Sequence, residues 1–131
     1  MILGIGVDIC SVKEMADSIS TLGDRFLQQY CVETELAFVL AARNSCQAAA
    51  QIIAGKEAIV KAFGTGFTPE LWWTDITLRD QNGRLVVAFS EDAKLMLDER
   101  QLSLGDLIIN LSTSACRDYG LALAVVQVEP G

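Results

Sequence analysis

Gly55-Lys56-Glu57-Ala58-Ile59-Val60-Lys61-Ala62-Phe63-Gly64-Thr65-Gly66 decides how this chain is read. Glu57 and Lys61 stand four apart, which on a helix puts them on one face. The apolar spacing predicts a helix with Ser45 as N-cap, ending near Phe63 with Gly64 as its C′ residue. At about 100° per residue, Ala49, Ile52, Ile53, Ile59, Val60 and Phe63 form one apolar stripe. Lys56 falls inside that stripe, and Glu57 and Lys61 fall at its edge. A lysine in an apolar stripe must snorkel to solvent or meet an anion. For Lys56 the two readings weigh equally, whereas on spacing alone Glu57 and Lys61 read as an ordinary i,i+4 surface pair before they read as part of a site. The Gly64-Thr65-Gly66 turn offers bare backbone that a ligand can approach closely.

Upstream, Gly4-Ile5-Gly6-Val7-Asp8-Ile9 reads as a strand with Asp8 at its end. A dinucleotide fingerprint would need a third glycine at position 9, which is Ile9. A half-buried carboxylate needs a cation, and a Mg²⁺ shared by Asp8 and Glu57 supplies one. Mg²⁺ takes one or two carboxylates and fills its remaining positions with water and phosphate oxygens, so this pair suits a phosphate substrate.

The rest of the chain fills in around these two segments. Residues 12–30 read as a helix interrupted at Gly23-Asp24, and Glu33 to Arg43 as another. Thr68-Pro69 marks a loop. Asp75 to Asp80 and Leu85 to Phe89 read as strands joined by the hairpin turn Asn82-Gly83. Ser90 caps a helix opening on Glu91-Asp92. Leu107 to Ser112 and Leu121 to Val128 read as two final strands. This order predicts an α+β fold, a mainly antiparallel sheet with helices packed on one face.

Composition bounds the possibilities. A chain of 131 residues with 51% hydrophobic and 21% charged content suits one ordered domain over 1–131. The net charge of −7 disfavours nucleic acid, which needs a basic field. No apolar run approaches a membrane span, and the first residues lack the basic region of a signal peptide. Positive mean hydropathy points either to apolar surface covered in an oligomer or simply to Ala-rich helices. Cys10, Cys31, Cys46 and Cys116 show no Cys-x-x-Cys spacing and read as reduced, mostly buried thiols in the cytoplasm. The absence of histidine excludes Ser-His-Asp and Cys-His catalysis and most zinc sites.

The two segments together resemble holo-[acyl-carrier-protein] synthase, the short class of 4′-phosphopantetheinyl transferases. The resemblance rests on Gly4 to Ile9, then Gly-Lys-Glu-Ala-x-x-Lys-Ala-x-Gly-Thr-Gly, Trp73-x-Asp75-Ile76, the Asn82-Gly83 turn and Asp118-Tyr119-x-x-Ala122. It implies transfer of phosphopantetheine from coenzyme A to a serine of an acyl carrier protein, with release of 3′,5′-ADP. It also implies a homotrimer with sites between subunits. By motif, Asp8 and Glu57 would hold Mg²⁺, and Glu57 or water it orients would help deprotonate the serine. Lys61 would neutralise phosphate charge. Lys56 and Gly64, Thr65 and Gly66 would support the pyrophosphate or shape the pantetheine channel.

Three positions depart from the family pattern. Ile52 stands where a basic residue would meet a coenzyme A phosphate. Leu111-Ser112-Thr113-Ser114-Ala115 lacks the family's histidine. Glu14, with Asp17 on the same face, replaces an arginine offered to an acidic carrier, and like charges repel. Arg25, Arg43 and Arg117 are candidate substitutes for the missing cations. The departures keep open a second reading, a non-catalytic interaction or ligand-binding module, or a scaffold reused for other coenzyme A or carrier-bound chemistry.

Overall fold

In a computed structural model of the chain, residues 1–100, 102 and 105–129 are described. The expected domain over 1–131 includes residues 101, 103–104 and 130–131, which lie outside the described residues. The elements run β1 (Ile2–Ser11), α1 (Val12–Leu22), α2 (Asp24–Tyr30), α3 (Glu33–Ala41), α4 (Ser45–Phe63), β2 (Ile76–Gln81), β3 (Arg84–Phe89), α5 (Glu91–Glu99), β4 (Leu107–Ala115) and β5 (Tyr119–Val128). A single 3₁₀ turn, Trp73–Asp75, leads into β2. The fold is α+β, as expected.

The strands form two antiparallel sheets, β1-β5-β4 and β2-β3, where one sheet was expected. Asn82 (φ 54°) and Gly83 (φ 83°) both take left-handed backbone, the mark of a tight turn whose twist matches its strands. That turn fixes the β2–β3 register locally, with Gln81 opposite Arg84. In the larger sheet β5 is central. Asp8 of β1 and Thr113 of β4 both stand opposite Ala122. Asp8 therefore lies inside its strand, three residues before the end, and not at the terminus as expected.

The long helix α4 begins one residue away from expectation. Asn44, not Ser45, is the N-cap, and its side chain accepts from the Gln47 N–H at 3.1 Å. The other end is as expected, with Gly64 in left-handed backbone and its N–H on the Val60 and Lys61 carbonyls. The apolar stripe of α4 is buried except for half-buried Phe63, which packs on Phe89. A second face, Ala50, Ala54, Gly55, Ala58 and Ala62, is buried as well. The helix thus serves two layers, with large aliphatics on one side and small residues on the sheet side. Each fully buried isoleucine contributes roughly 1.5–3 kcal/mol.

The outer face of the larger sheet carries Ile5, Val7, Ile9, Tyr119, Leu121 and Leu123, all exposed. Val7 stands opposite Leu123 and Ile9 opposite Leu121, so the patch is continuous. All four cysteines are free, yet only Cys31 is buried, which corrects the expectation of mostly buried thiols. Among the described residues no helix is long and apolar enough to cross a membrane.

Candidate functional site

The glycines of β1 are there for contact with α4. A Cβ on Gly4 would overlap the Ala62 carbonyl oxygen, and one on Gly6 the Ala58 carbonyl oxygen. Alanines on the helix and glycines on the strand let the two backbones approach closely. Along the inward face of β1 the row reads Gly4, Gly6, Asp8. The seam that admits no side chain at 4 and 6 therefore brings the carboxylate of Asp8 to the helix.

Lys61 meets it there. Its Nζ lies 2.7 Å from Asp8 Oδ1 and 3.2 Å from the Val7 carbonyl oxygen. The side chains are 50% and 18% exposed, so the pair sits at the rim of the seam. The alternative reading of Glu57 and Lys61 as an i,i+4 ion pair fails, since Lys61 bonds across to the strand and no Glu57 salt bridge forms among the described residues. The hydrogen bond to Asp8 pushes the Lys61 ammonium above its ordinary pKa. Glu57 is half-buried. Its carboxyl is pushed up, first by burial and then by the negative charge of Asp8, while Lys61 pulls the other way. Two carboxylates thus repel each other across one ammonium.

Cys10, next in the inward row, registers the same field. Its thiol is pushed up to about 11, first by burial and then by Asp8, Glu14 and Glu57. Such a thiol stays protonated at neutral pH and is no nucleophile.

Gly64, Thr65 and Gly66 lie where α4 ends. Space is open around both glycines, each with positive φ, and Thr65 Oγ1 donates to the Gly66 carbonyl at 2.9 Å. Beyond the Gly64 N–H on the Lys61 carbonyl, no hydrogen bond among the described residues ties this turn to the side chains of Asp8, Glu57 or Lys61. The turn stands at the negative end of the helix dipole, which favours the nearby Lys61 over a phosphate.

Lys56 belongs elsewhere. It is fully buried, and its ammonium donates to Glu35 Oε1 at 2.7 Å, the Tyr30 carbonyl at 2.7 Å and the Trp73 carbonyl at 2.8 Å. With all three donors committed, none remains for a pyrophosphate. This corrects the expectation that Lys56 binds ligand. Of the two branches, snorkel or anion, the second holds, but the anion it meets is the protein's own Glu35 and not a ligand. That carboxylate also accepts from the N–H groups of Val32 at 2.9 Å and Leu78 at 2.7 Å. Burial still lowers the Lys56 pKa, with Glu35 opposing the shift. Sequence reading missed Glu35. The signal was the buried lysine itself, which demands a buried acid, but five glutamates and aspartates on the first three helices left no means to choose.

The other flagged positions are dispersed. Ile52 is buried in the core. Arg25 and Arg43 are exposed, and Arg117 pairs with neighbouring Asp118 at 3.4 Å. Glu14 lies in the first turn of α1, where its charge suits the helix dipole and its N–H is capped by Ser11. The Asp8–Glu57–Lys61 cluster lies open at the surface. Grooves of about 720 Å³ and 400 Å³ flank the β2–β3 hairpin and are lined by other residues, Arg84 and Leu85 among them.

The sequence pattern of the 4′-phosphopantetheinyl transferase superfamily matches residues 4–124. The holo-[acyl-carrier-protein] synthase of Chlamydia trachomatis serovar L2 is 33% identical over 125 residues, 95% of this chain and 98% of that protein. The protein of the same name from Paramagnetospirillum magneticum is 36% identical over 132 residues, 98% and 97% of the two chains. Among solved structures, the Neisseria meningitidis synthase superposes with a TM-score of 0.85 at 28% identity, covering 97% of this chain and 99% of that one. The Bacillus anthracis synthase, in complex with coenzyme A (3′,5′-ADP), gives 0.78 at 25% identity, covering 98% and 99%.

Proposed function

Because the chain belongs to the 4′-phosphopantetheinyl transferase superfamily, in its holo-[acyl-carrier-protein] synthase branch, we propose that it moves 4′-phosphopantetheine from coenzyme A to a serine of an acyl carrier protein. The observation that carries this reading is the meeting of Asp8, Glu57 and Lys61 at the β1–α4 seam. Phosphoryl transfer runs on positioning and charge stabilisation, and this cluster offers both.

The donor set suits Mg²⁺. Asp8 and Glu57 are hard oxygen donors whose mutual repulsion a divalent cation would relieve. Mg²⁺ takes one or two carboxylates and completes its coordination with water and phosphate oxygens. When bound, Mg²⁺ supplies Lewis-acid stabilisation of the phosphate oxygens. Glu57 is the group placed to accept the carrier serine's proton, directly or through a water. Lys61 offsets charge on the phosphates. Gly64, Thr65 and Gly66 leave open backbone for the pantetheine arm.

One domain over residues 1–131 forms a homotrimer in this reading. The apolar outer face of the larger sheet supports it, as does a cluster too open to exclude water alone. Val7→Lys would place a charge in that face, and the trimer mass in light scattering would fall. The free thiols suit the reducing cytoplasm. Glu14 and Asp17 favour a carrier with a neutral or basic docking helix.

Ile52 favours a second reading. Its burial leaves no cation on α4 for a further coenzyme A phosphate, as in a ligand-binding module that has lost catalysis. Mass spectrometry of apo carrier proteins incubated with the protein, coenzyme A and Mg²⁺ separates the two. A phosphopantetheine adduct on the carrier serine, abolished by Glu57→Gln and by EDTA, is the expected result. No adduct across a broad carrier panel, with no calorimetric binding of coenzyme A, would leave the second reading standing.

A further inference from the structure

We propose that Lys61 is a resident cation: its ammonium holds Asp8 until a diphosphate arrives to receive it, so that metal and coenzyme A load together and not separately. The inference rests on the transferase reading for the identity of the diphosphate. The geometry it starts from does not.

Lys61 Nζ sits between a carboxylate oxygen, Asp8 Oδ1 at 2.7 Å, and a main-chain carbonyl, Val7 O at 3.2 Å. These are the oxygen types that bind a hard cation, and the ammonium occupies them. It compensates Asp8 in a cluster where Glu57 adds a second negative charge. A divalent ion on the two carboxylates would bring two positive charges against the ammonium, and Lys61 must then leave. Leaving is sterically simple, since the side chain is half exposed on a four-carbon stem. The electrostatics are less simple. With no phosphate present, the ammonium exchanges a carboxylate for bulk water, and that loss is charged against metal binding. With a diphosphate present, it moves from one anion to another and the loss is recovered. Metal and diphosphate are thereby coupled through one side chain that touches both in turn, and coupling of this kind is reciprocal.

Binding of Mn²⁺, followed by its electron paramagnetic resonance signal, tests this with no turnover. In the wild-type protein Mn²⁺ alone should bind weakly, and 3′,5′-ADP plus inorganic pyrophosphate should tighten it. Lys61→Met removes the resident charge. It should bind Mn²⁺ alone about five-fold or more tightly than wild type, and the diphosphate enhancement should shrink by a comparable factor. Lys61→Gln should behave likewise, and Asp8→Asn should abolish Mn²⁺ binding in either background. Unchanged or weaker Mn²⁺ binding in both Lys61 variants, with native circular dichroism, overturns the proposal, as does an absence of Mn²⁺ binding in all forms. Tightening in the variants of a protein that modifies no carrier would support the resident cation while sinking the transferase reading.

Discussion

Lys56 and Lys61 lie five residues apart on one helix and live in opposite surroundings. Lys56 is sealed from solvent and bonded to three groups from α2, α3 and the turn before β2. Lys61 is half exposed and bonded to one strand. A buried ammonium must be fully satisfied, so it ties elements together and can do nothing else. An ammonium at a rim keeps the freedom to change partners. The same residue type is architecture in one place and, in the proposed function, chemistry in the other, and the depth of the helix face separates them.

The largest effect should come from the buried pair. Lys56→Met leaves Glu35 charged and buried with no counter-ion, and should cost about 3–5 kcal/mol by urea titration. Adding Glu35→Gln removes the stranded charge, at the cost of leaving one of the Val32 and Leu78 N–H groups without its acceptor. The double variant should be the more stable of the two. A Lys56→Met protein as stable as wild type would mean the knot contributes nothing, and the contrast between the two lysines would lose its first half.

What the sequence made legible follows the same division. Local rules found the α4 C-cap at Gly64, the cap at Ser90 and the Asn82-Gly83 turn, because each depends on a few neighbouring residues. Spacing and resemblance singled out Asp8, Glu57 and Lys61, which the fold brings to one seam. They did not find Glu35, because its partnership with Lys56 spans 21 residues and leaves no periodic trace. The split into two sheets was also hidden, since strand pairing between β3 and β4 depends on tertiary placement. The small face of α4 went unnoticed because alanine and glycine add little to an apolar stripe, yet that face is what lets the helix lie on β1.

Gly6→Ala tests that face. Its Cβ would collide with the Ala58 backbone, which cannot rotate away, so strand and helix must separate. Overpacking of this kind costs about 1–3 kcal/mol, and more where backbone must move. Gly55→Ala is the matched control, because there the new atom meets the flexible Leu78 Cδ1 at 2.9 Å. Gly6→Ala should lower both Tm and transfer, and Gly55→Ala should cost less. Equal effects at the two positions would remove the seam as the reason Asp8 reaches α4.

A smaller effect should come from the helix cap, which serves both lysines alike. Asn44→Ala deletes the acceptor of the Gln47 N–H and should cost about 1 kcal/mol. Because the cap lies at the far end of α4 from Lys61, transfer by the folded variant should stay at wild-type level. A loss of transfer out of proportion to the loss of stability would show that the helix start, and not the seam, sets the position of the cluster.

Lys61→Met should give the smallest change in stability and decide the comparison. The pair it breaks is open to solvent, where such contacts contribute about 0–1 kcal/mol. Its removal leaves Asp8, 18% exposed, within reach of water at the rim, so its charge is stranded only in part. Tm should therefore stay close to wild type. Transfer should still fall by on the order of 10²-fold or more, because a positioned charge on the phosphates is lost. A variant that unfolds as Lys56→Met does would place Lys61 on the architectural side. One that keeps both stability and transfer would make it a surface lysine. Only stability kept and transfer lost fits an ammonium at the rim that is free to change partners.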